Sequence, residues 1–80
     1  MFYVYLLRDK QGRIYIGYTQ NLKRRLEEHT KGNVYWTSRL QGAYLFYYEA
    51  FPAKQLARYR ELQLKKYGAA YYGLLKRLSL

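Results

Sequence analysis

The sequence predicts an α+β fold in which a small three-stranded antiparallel sheet is flanked by helices, in the order β-β-α-β-α-α. Three observations lead to this prediction. Two β-branched and aromatic segments follow each other across a polar turn, a third aromatic segment lies mid-chain, and helical periodicity covers most of the remainder. With 80 residues and 50% hydrophobic composition, the chain is expected to form a single domain over residues 1–80.

Residues 2–8 and 13–18 are predicted to form a β-hairpin, because the polar, glycine-containing segment between them favours a turn. If the loop holds an odd number of residues, Tyr5 shares a face of the sheet with Tyr15 and Gly17. Gly17 has no side chain to pack. It therefore indicates either a β-bulge or a point where another group approaches the backbone closely.

The first helix is predicted over residues 21–29, with Thr19 as its N-cap. Pro52 suits the first turn of a second helix that runs to about Tyr67 and is ended by Gly68. The remaining predicted elements are a loop over residues 32–42, a strand over 43–51, and a third helix over 69–78.

The charge is strongly basic, with 15 Lys and Arg against 5 Asp and Glu, a formal +10. Basic side chains contact phosphates and release counterions, and aromatic rings such as the twelve tyrosines can stack on unpaired bases. Nucleic acid is therefore favoured as partner over an anionic membrane or an acidic protein. Without cysteines, a signal peptide or an apolar run of about 18 residues, the chain is expected to be soluble and cytoplasmic.

One face of the first helix carries Leu22, Arg25, Leu26 and His29, which recur at i, i+3, i+4 and i+7. A guanidinium between leucines indicates either a functional group or an arginine whose stem packs while its head reaches water. A lone histidine is compatible with a simple rim position or with a role beside Arg25. The pattern alone leaves both alternatives open.

A metal that assists phosphodiester hydrolysis needs a hard oxygen ligand. Of the five carboxylates, Glu49 and Glu61 remain after those in the turn and on the outer half of the first helix are set aside. Glu61 is preferred because it lies at the edge of an apolar helix face. The alternative for Glu61 is an i,i+4 ion pair with Lys65.

Four motifs, in order and at family-like spacing, resemble the GIY-YIG nuclease domain superfamily, in particular its stand-alone single-domain bacterial branch. The motifs are Tyr3-Val4-Tyr5, Tyr15-Ile16-Gly17, Arg25-Leu26-Glu27-Glu28-His29, and Ala57-Arg58-Tyr59-Arg60-Glu61-Leu62-Gln63-Leu64-Lys65. The first motif lacks the family's glycine. Tyr18 stands where repair-type relatives have a lysine, so that the site would rely more on Arg25.

The resemblance implies a metal-dependent endonuclease that hydrolyses DNA phosphodiester bonds, with DNA repair or recombination as a setting. Glu61 would ligate Mg²⁺ or Mn²⁺, and Arg25 would hold the scissile phosphate. Tyr15 would act as, or position, the general base, with Tyr5 as its neighbour and His29 orienting the attacking group. The predicted substrate contacts are Gly17, Lys23, Arg24, Arg39 and Lys65.

Two alternatives to this reading stay open at this point. The chain could be a nucleic-acid-binding module that is non-catalytic or that acts only when a partner activates it. The nucleic acid could also be RNA rather than DNA. In each case, targeting would come from the basic surface, from a homodimer or from a partner protein.

Overall fold

The computed structural model describes residues 1–30 and 43–80. Its elements are β1 (Phe2–Arg8), β2 (Ile14–Thr19), α1 (Leu22–Thr30), β3 (Tyr44–Phe51), α2 (Lys54–Lys65) and α3 (Ala69–Arg77). This confirms the predicted element order and α+β class. Pro52 precedes α2 instead of entering its first turn. The predicted loop, and with it Arg39, lies outside the described residues.

Strand β1 lies at the centre of an antiparallel sheet whose order, among the described residues, is β2-β1-β3. In the β1–β2 pair, Tyr5 is opposite Gly17 and Leu7 is opposite Tyr15. The predicted sharing of one face by Tyr5, Tyr15 and Gly17 is therefore confirmed. The register irregularity falls between Leu6 and Leu7 of the β1–β3 pair, so the bulge alternative for Gly17 was wrong.

The hairpin turn is organised by the buried carboxylate of Asp9. It accepts hydrogen bonds from the backbone N–H groups of Gln11 and Arg13, at 2.9 and 2.8 Å, and from Arg13 Nε at 2.7 Å. Burial alone would raise the pKa of Asp9, but the hydrogen bonds from Arg13 and Gln11 hold it below its ordinary value. This turn fixes the register that brings the tyrosines together.

The hydrophobic core lies between one face of the sheet and the helices α2 and α3. Successive strand residues point to opposite faces. Because Val4, Leu6 and Ile16 belong to the core, Tyr5 and Tyr15 point to the other face. The fully buried core residues contributed by the helices include Ala57, Leu64 and Leu74. The core thus dictates which face of the sheet carries the tyrosines.

Helix α1 is joined to the end of β2 by two linked side chains. Asn21 Oδ1 accepts a hydrogen bond from the backbone N–H of Arg24 at 3.1 Å, so Asn21 is the N-cap. The prediction of Thr19 as the cap was wrong, because Thr19 is the last residue of β2. Its hydroxyl oxygen instead accepts a hydrogen bond from the backbone N–H of Asn21 at 3.1 Å. This connection orients the face of α1 that carries Arg25 and His29.

Candidate active site

Three aromatic rings from three elements meet on the tyrosine face of the sheet. The hydroxyl of Tyr5 on β1 is 2.9 Å from Nε2 of His29 on α1. The ring of Tyr15 on β2 is centred 6.4 Å from that of Tyr5 and 5.6 Å from the imidazole. The structure therefore brings together three of the predicted site residues, which are separated by up to 24 positions in the chain.

The Tyr5–His29 hydrogen bond joins two neutral side chains. Burial raises the pKa of the Tyr5 phenol, Tyr15 raises it further, and Arg25 only partly opposes this. Burial and the nearby Arg25 lower the pKa of His29. The ordinary values of about 10 and 6.5 already correspond to about 5 kcal/mol against transfer, and both shifts widen the gap. Tyr5 is therefore a neutral phenol in hydrogen-bond contact with a neutral imidazole.

The close neighbour of Gly17 is the ring of Tyr5. A Cβ atom at this position would overlap Cζ and Oη of that ring. The close-approach interpretation of Gly17 is thus confirmed, with Tyr5 as the approaching group. Contact of Gly17 with a substrate stays a prediction.

Substitution of Gly17 by alanine is expected to lower the free energy of unfolding by about 1–3 kcal/mol, because the added methyl group overpacks a buried aromatic ring. Urea denaturation measures this change. Gly73→Ala is the matched control, since a Cβ there meets no described atom within 4 Å and alanine is the better helix former. A Gly17→Ala variant as stable as the native chain would contradict the observed packing.

Arg25 lies one helical turn before His29 on α1, and its charge acts to lower the pKa values of both His29 and Tyr5. Its Nε atom is buried and has no hydrogen-bond partner among the described residues. Glu28 Oε1 is 3.8 Å from Arg25 Nε and 3.7 Å from Arg24 Nε, which makes it a loosely shared counter-ion. A buried donor without a partner costs about 1–3 kcal/mol, so an incoming acceptor would be stabilised here.

Glu61 is buried in α2, with 7% of its surface exposed. Its Oε2 is 2.9 Å from Lys65 Nζ, and its Oε1 is 3.5 Å from Arg58 Nε. The predicted i,i+4 pair is therefore present. The charge of Glu61 also raises the pKa of Tyr5, which places the carboxylate within electrostatic range of the phenol.

Glu49, the other candidate metal ligand, forms more hydrogen bonds with protein side chains than Glu61 does. Arg60 donates to both of its oxygens at 2.8 and 2.9 Å, and the Tyr47 hydroxyl donates at 2.6 Å. Among the described residues, Glu61 has one close cationic partner, Lys65, whose side chain is 44% exposed. A ligand can therefore displace the partner of Glu61 more easily than it can open the bidentate pair at Glu49.

Two of the predicted substrate contacts, Lys23 and Arg24, lie exposed on α1. Sequence reasoning missed Arg58, which lies 5.0 Å from the ring centre of Tyr18 as well as close to Glu61. The sequence did indicate the contact between Arg58 and Glu61, because a cation three residues before a carboxylate on a helix can reach that carboxylate.

A metal ion here would depend on one carboxylate. Among residues 1–30 and 43–80, no three His, Asp or Glu side chains are grouped so that they could hold an ion. Mg²⁺ keeps several waters and is often bound by one or two carboxylates together with substrate phosphates. The carboxylate of Glu61, as the one protein ligand, fits that mode of binding.

The hairpin, the arginine- and histidine-bearing helix and the buried glutamate all lie within a segment that matches a known family of catalytic domains. The model of the GIY-YIG catalytic domain family matches residues 1–72. The chain belongs to this family, which confirms the resemblance.

The similar proteins include bacterial UPF0213 proteins. One from Clostridium perfringens is 39% identical over 67 residues, covering 82% of this chain and 72% of that protein. One from Streptococcus agalactiae is 42% identical over 66 residues, covering 80% and 74%. The solution NMR structure of a UPF0213 protein from Bacillus halodurans aligns with a TM-score of 0.60 and 32% identity, covering 98% of this chain and 85% of that one. No helix among the described residues is long and apolar enough to cross a membrane.

Proposed function

We propose that this chain is a metal-dependent endonuclease that hydrolyses DNA phosphodiester bonds. The observation that carries the proposal is the grouping of Tyr5, Tyr15 and His29 near Arg25, whose buried Nε has no hydrogen-bond partner among the described residues, with Glu61 in electrostatic range. Membership of a nuclease family supports the reaction class.

In this proposal Arg25 binds the scissile phosphate. Its guanidinium would donate to the phosphate oxygens, which gain negative charge as the attacking oxygen approaches phosphorus. The buried Nε would then have the acceptor that it lacks among the described residues. Because the charge of Arg25 already affects Tyr5 and His29, a phosphate bound here would lie next to the aromatic rings.

Glu61 would hold a single Mg²⁺ or Mn²⁺ ion, which when bound supplies Lewis-acid stabilisation of the phosphate. For this, Lys65 has to leave the Glu61 oxygen at 2.9 Å. A released Lys65 ammonium can contact a neighbouring phosphate, and this gives the residue its predicted role in substrate binding.

The two tyrosines and His29 would orient the attacking water and prepare it for deprotonation. Tyr15 acts as, or positions, the general base. Tyr5 keeps its proton. In the His29 tautomer whose Nε2 carries no proton, Tyr5 would donate to Nε2 across the 2.9 Å contact, and the lone pairs of its oxygen would accept from the water. His29 therefore acts as the neutral acceptor that orients Tyr5.

The cleavage rate is expected to fall at acid pH, with a midpoint below about 6.5, because protonated His29 cannot accept from Tyr5. The midpoint lies on the acid side of the ordinary value, since burial and Arg25 lower the pKa of His29. A pH–rate profile measures it, and a His29→Gln variant should lack this step. The same step in the variant would assign the titration to another group.

DNA is the proposed substrate because basic side chains far outnumber acidic ones, 15 to 5. All five acidic side chains lie in the described residues, and those of Asp9, Glu28, Glu49 and Glu61 are already within 4 Å of an arginine or lysine. A cytoplasmic location and a role in DNA repair would suit such an enzyme. Its targeting would fall to its own basic surface, a homodimer or a partner protein.

Incubation with supercoiled plasmid and with a branched DNA, each with Mg²⁺ or Mn²⁺, tests the proposal. Nicked or cut products that disappear with EDTA are expected. Intact DNA under all of these conditions, despite demonstrated binding, would overturn the proposal for the isolated chain.

One observation favours a non-catalytic or partner-activated binding module as second candidate: both oxygens of Glu61 face cations. If these pairs persist on DNA, the carboxylate is closed to metal. Binding that weakens steeply with salt, without cleavage in any metal, is the outcome expected for such a module.

A further inference from the structure

A cavity of about 340 Å³ opens between the beginning of α1 and the beginning of α2. It is lined by Arg24 and Arg25 from α1 and by Lys54, the first residue of α2. Glu28 is the acidic residue in this lining. The charged lining therefore has a net charge of +2, which suits an anion.

Lys54 is available to bind an anion in this cavity. Among the described residues it forms no ion pair or side-chain hydrogen bond, and every acidic side chain of the sequence is among those residues. Glu28 is shared by Arg24 and Arg25 at 3.7 and 3.8 Å, beyond hydrogen-bond distance. The cations of the cavity are therefore held only loosely by protein.

Arg25 connects this cavity to the candidate active site, because it lines the cavity and lies one helical turn before His29 on α1. A DNA strand with its scissile phosphate at Arg25 would then place an adjacent part of its backbone at the cavity.

We infer that this cavity is a binding subsite for one backbone phosphate flanking the scissile one, with Lys54 as its principal contact and Arg24 as its second. The inference rests on the proposed function for the identity of the neighbouring phosphate. It assigns Lys54, which no motif indicated, a role in binding the DNA strand. Because the contact is made to the backbone, it is independent of base sequence.

The test is the salt dependence of binding to a fluorescently labelled 20-base-pair duplex, measured by anisotropy in EDTA so that no cleavage occurs. Lys54→Ala should bind more weakly and flatten the slope of log K against log salt by about 0.9, the value of one phosphate contact. Lys54→Arg should keep the native slope. Lys76→Ala, which removes an exposed lysine of α3 outside the cavity, should keep it as well.

The possible outcomes test the proposed subsite independently of the proposed nuclease activity. An unchanged slope in Lys54→Ala, or an equal loss in Lys76→Ala, overturns the subsite even if the native chain cleaves DNA. A loss confined to Lys54→Ala supports the subsite even if no metal produces cleavage, and then only the nuclease proposal fails. If the native chain does not bind the duplex, the subsite is overturned as well.

Discussion

Glu61→Gln is expected to reduce the single-turnover rate of DNA cleavage by about 10²–10³-fold. The amide is nearly isosteric but lacks the charge that a divalent ion requires, and electrostatic stabilisation of the phosphate is lost with the ion. Rates are measured with enzyme in excess over DNA, across a range of Mg²⁺ concentrations. The loss should persist at saturating metal.

The control for Glu61→Gln is Glu27→Gln, which neutralises an exposed acid of α1 and should cleave at the native rate. Thermal unfolding of both variants shows whether the fold is kept. The partners of Glu61, Lys65 and Arg58, are each about half exposed, so their lost ion pairs should cost at most about 1 kcal/mol apiece. A folded Glu61→Gln variant that cleaves at the native rate would remove the carboxylate from the mechanism.

Arg25→Ala should likewise lower the cleavage rate by about 10²–10³-fold, because it removes the donor that faces the developing charge. Arg25→Lys should recover only part of the rate, since an ammonium lacks the planar fork that matches phosphate. Arg77→Ala, at the end of α3, is the control for loss of an arginine charge.

A second readout for Arg25 does not depend on cleavage. Arg25 lowers the pKa of His29, so the pKa of His29 should rise in Arg25→Ala. An NMR titration of the imidazole resonances measures it. An unchanged titration would show that the guanidinium is not beside the aromatic rings, and the proposed phosphate position would fall with it.

The fold was largely predictable because short-range patterns specify it. The β-branched and aromatic composition of the strands, the turn chemistry between β1 and β2, and helical periodicity predicted every described element to within two residues at each end. The N-cap of α1 was misassigned because Thr19 and Asn21 are both good capping residues two positions apart. Only the structure shows that the strand extends through Thr19 and that its hydroxyl supports the cap.

The candidate site was predictable in its members but not in its contacts. Strand parity and helix periodicity could predict that Tyr5, Tyr15 and His29 lie in one region. They could not predict which of the two tyrosines forms the hydrogen bond with the imidazole. At Tyr5, burial and the neighbouring tyrosine outweigh Arg25. Such a balance depends on desolvation, which sequence patterns do not report.

Lys54 is a second residue whose proposed role could not be predicted from sequence patterns. In the sequence it is one of many basic residues and belongs to no motif. Its proximity to Arg24 and Arg25 arises because the beginnings of α1 and α2 meet at one cavity. That meeting depends on tertiary packing across about 30 positions of the chain, which local periodicity cannot predict.

The most direct test of the proposed nuclease compares the native chain with Glu61→Ala on supercoiled plasmid, at enzyme concentrations that give equal DNA binding. Mg²⁺- or Mn²⁺-dependent nicking by the native chain is expected, with at least about 100-fold slower nicking by the variant. Metal-dependent nicking that survives in Glu61→Ala and in Arg25→Ala would contradict the assignment of this active site.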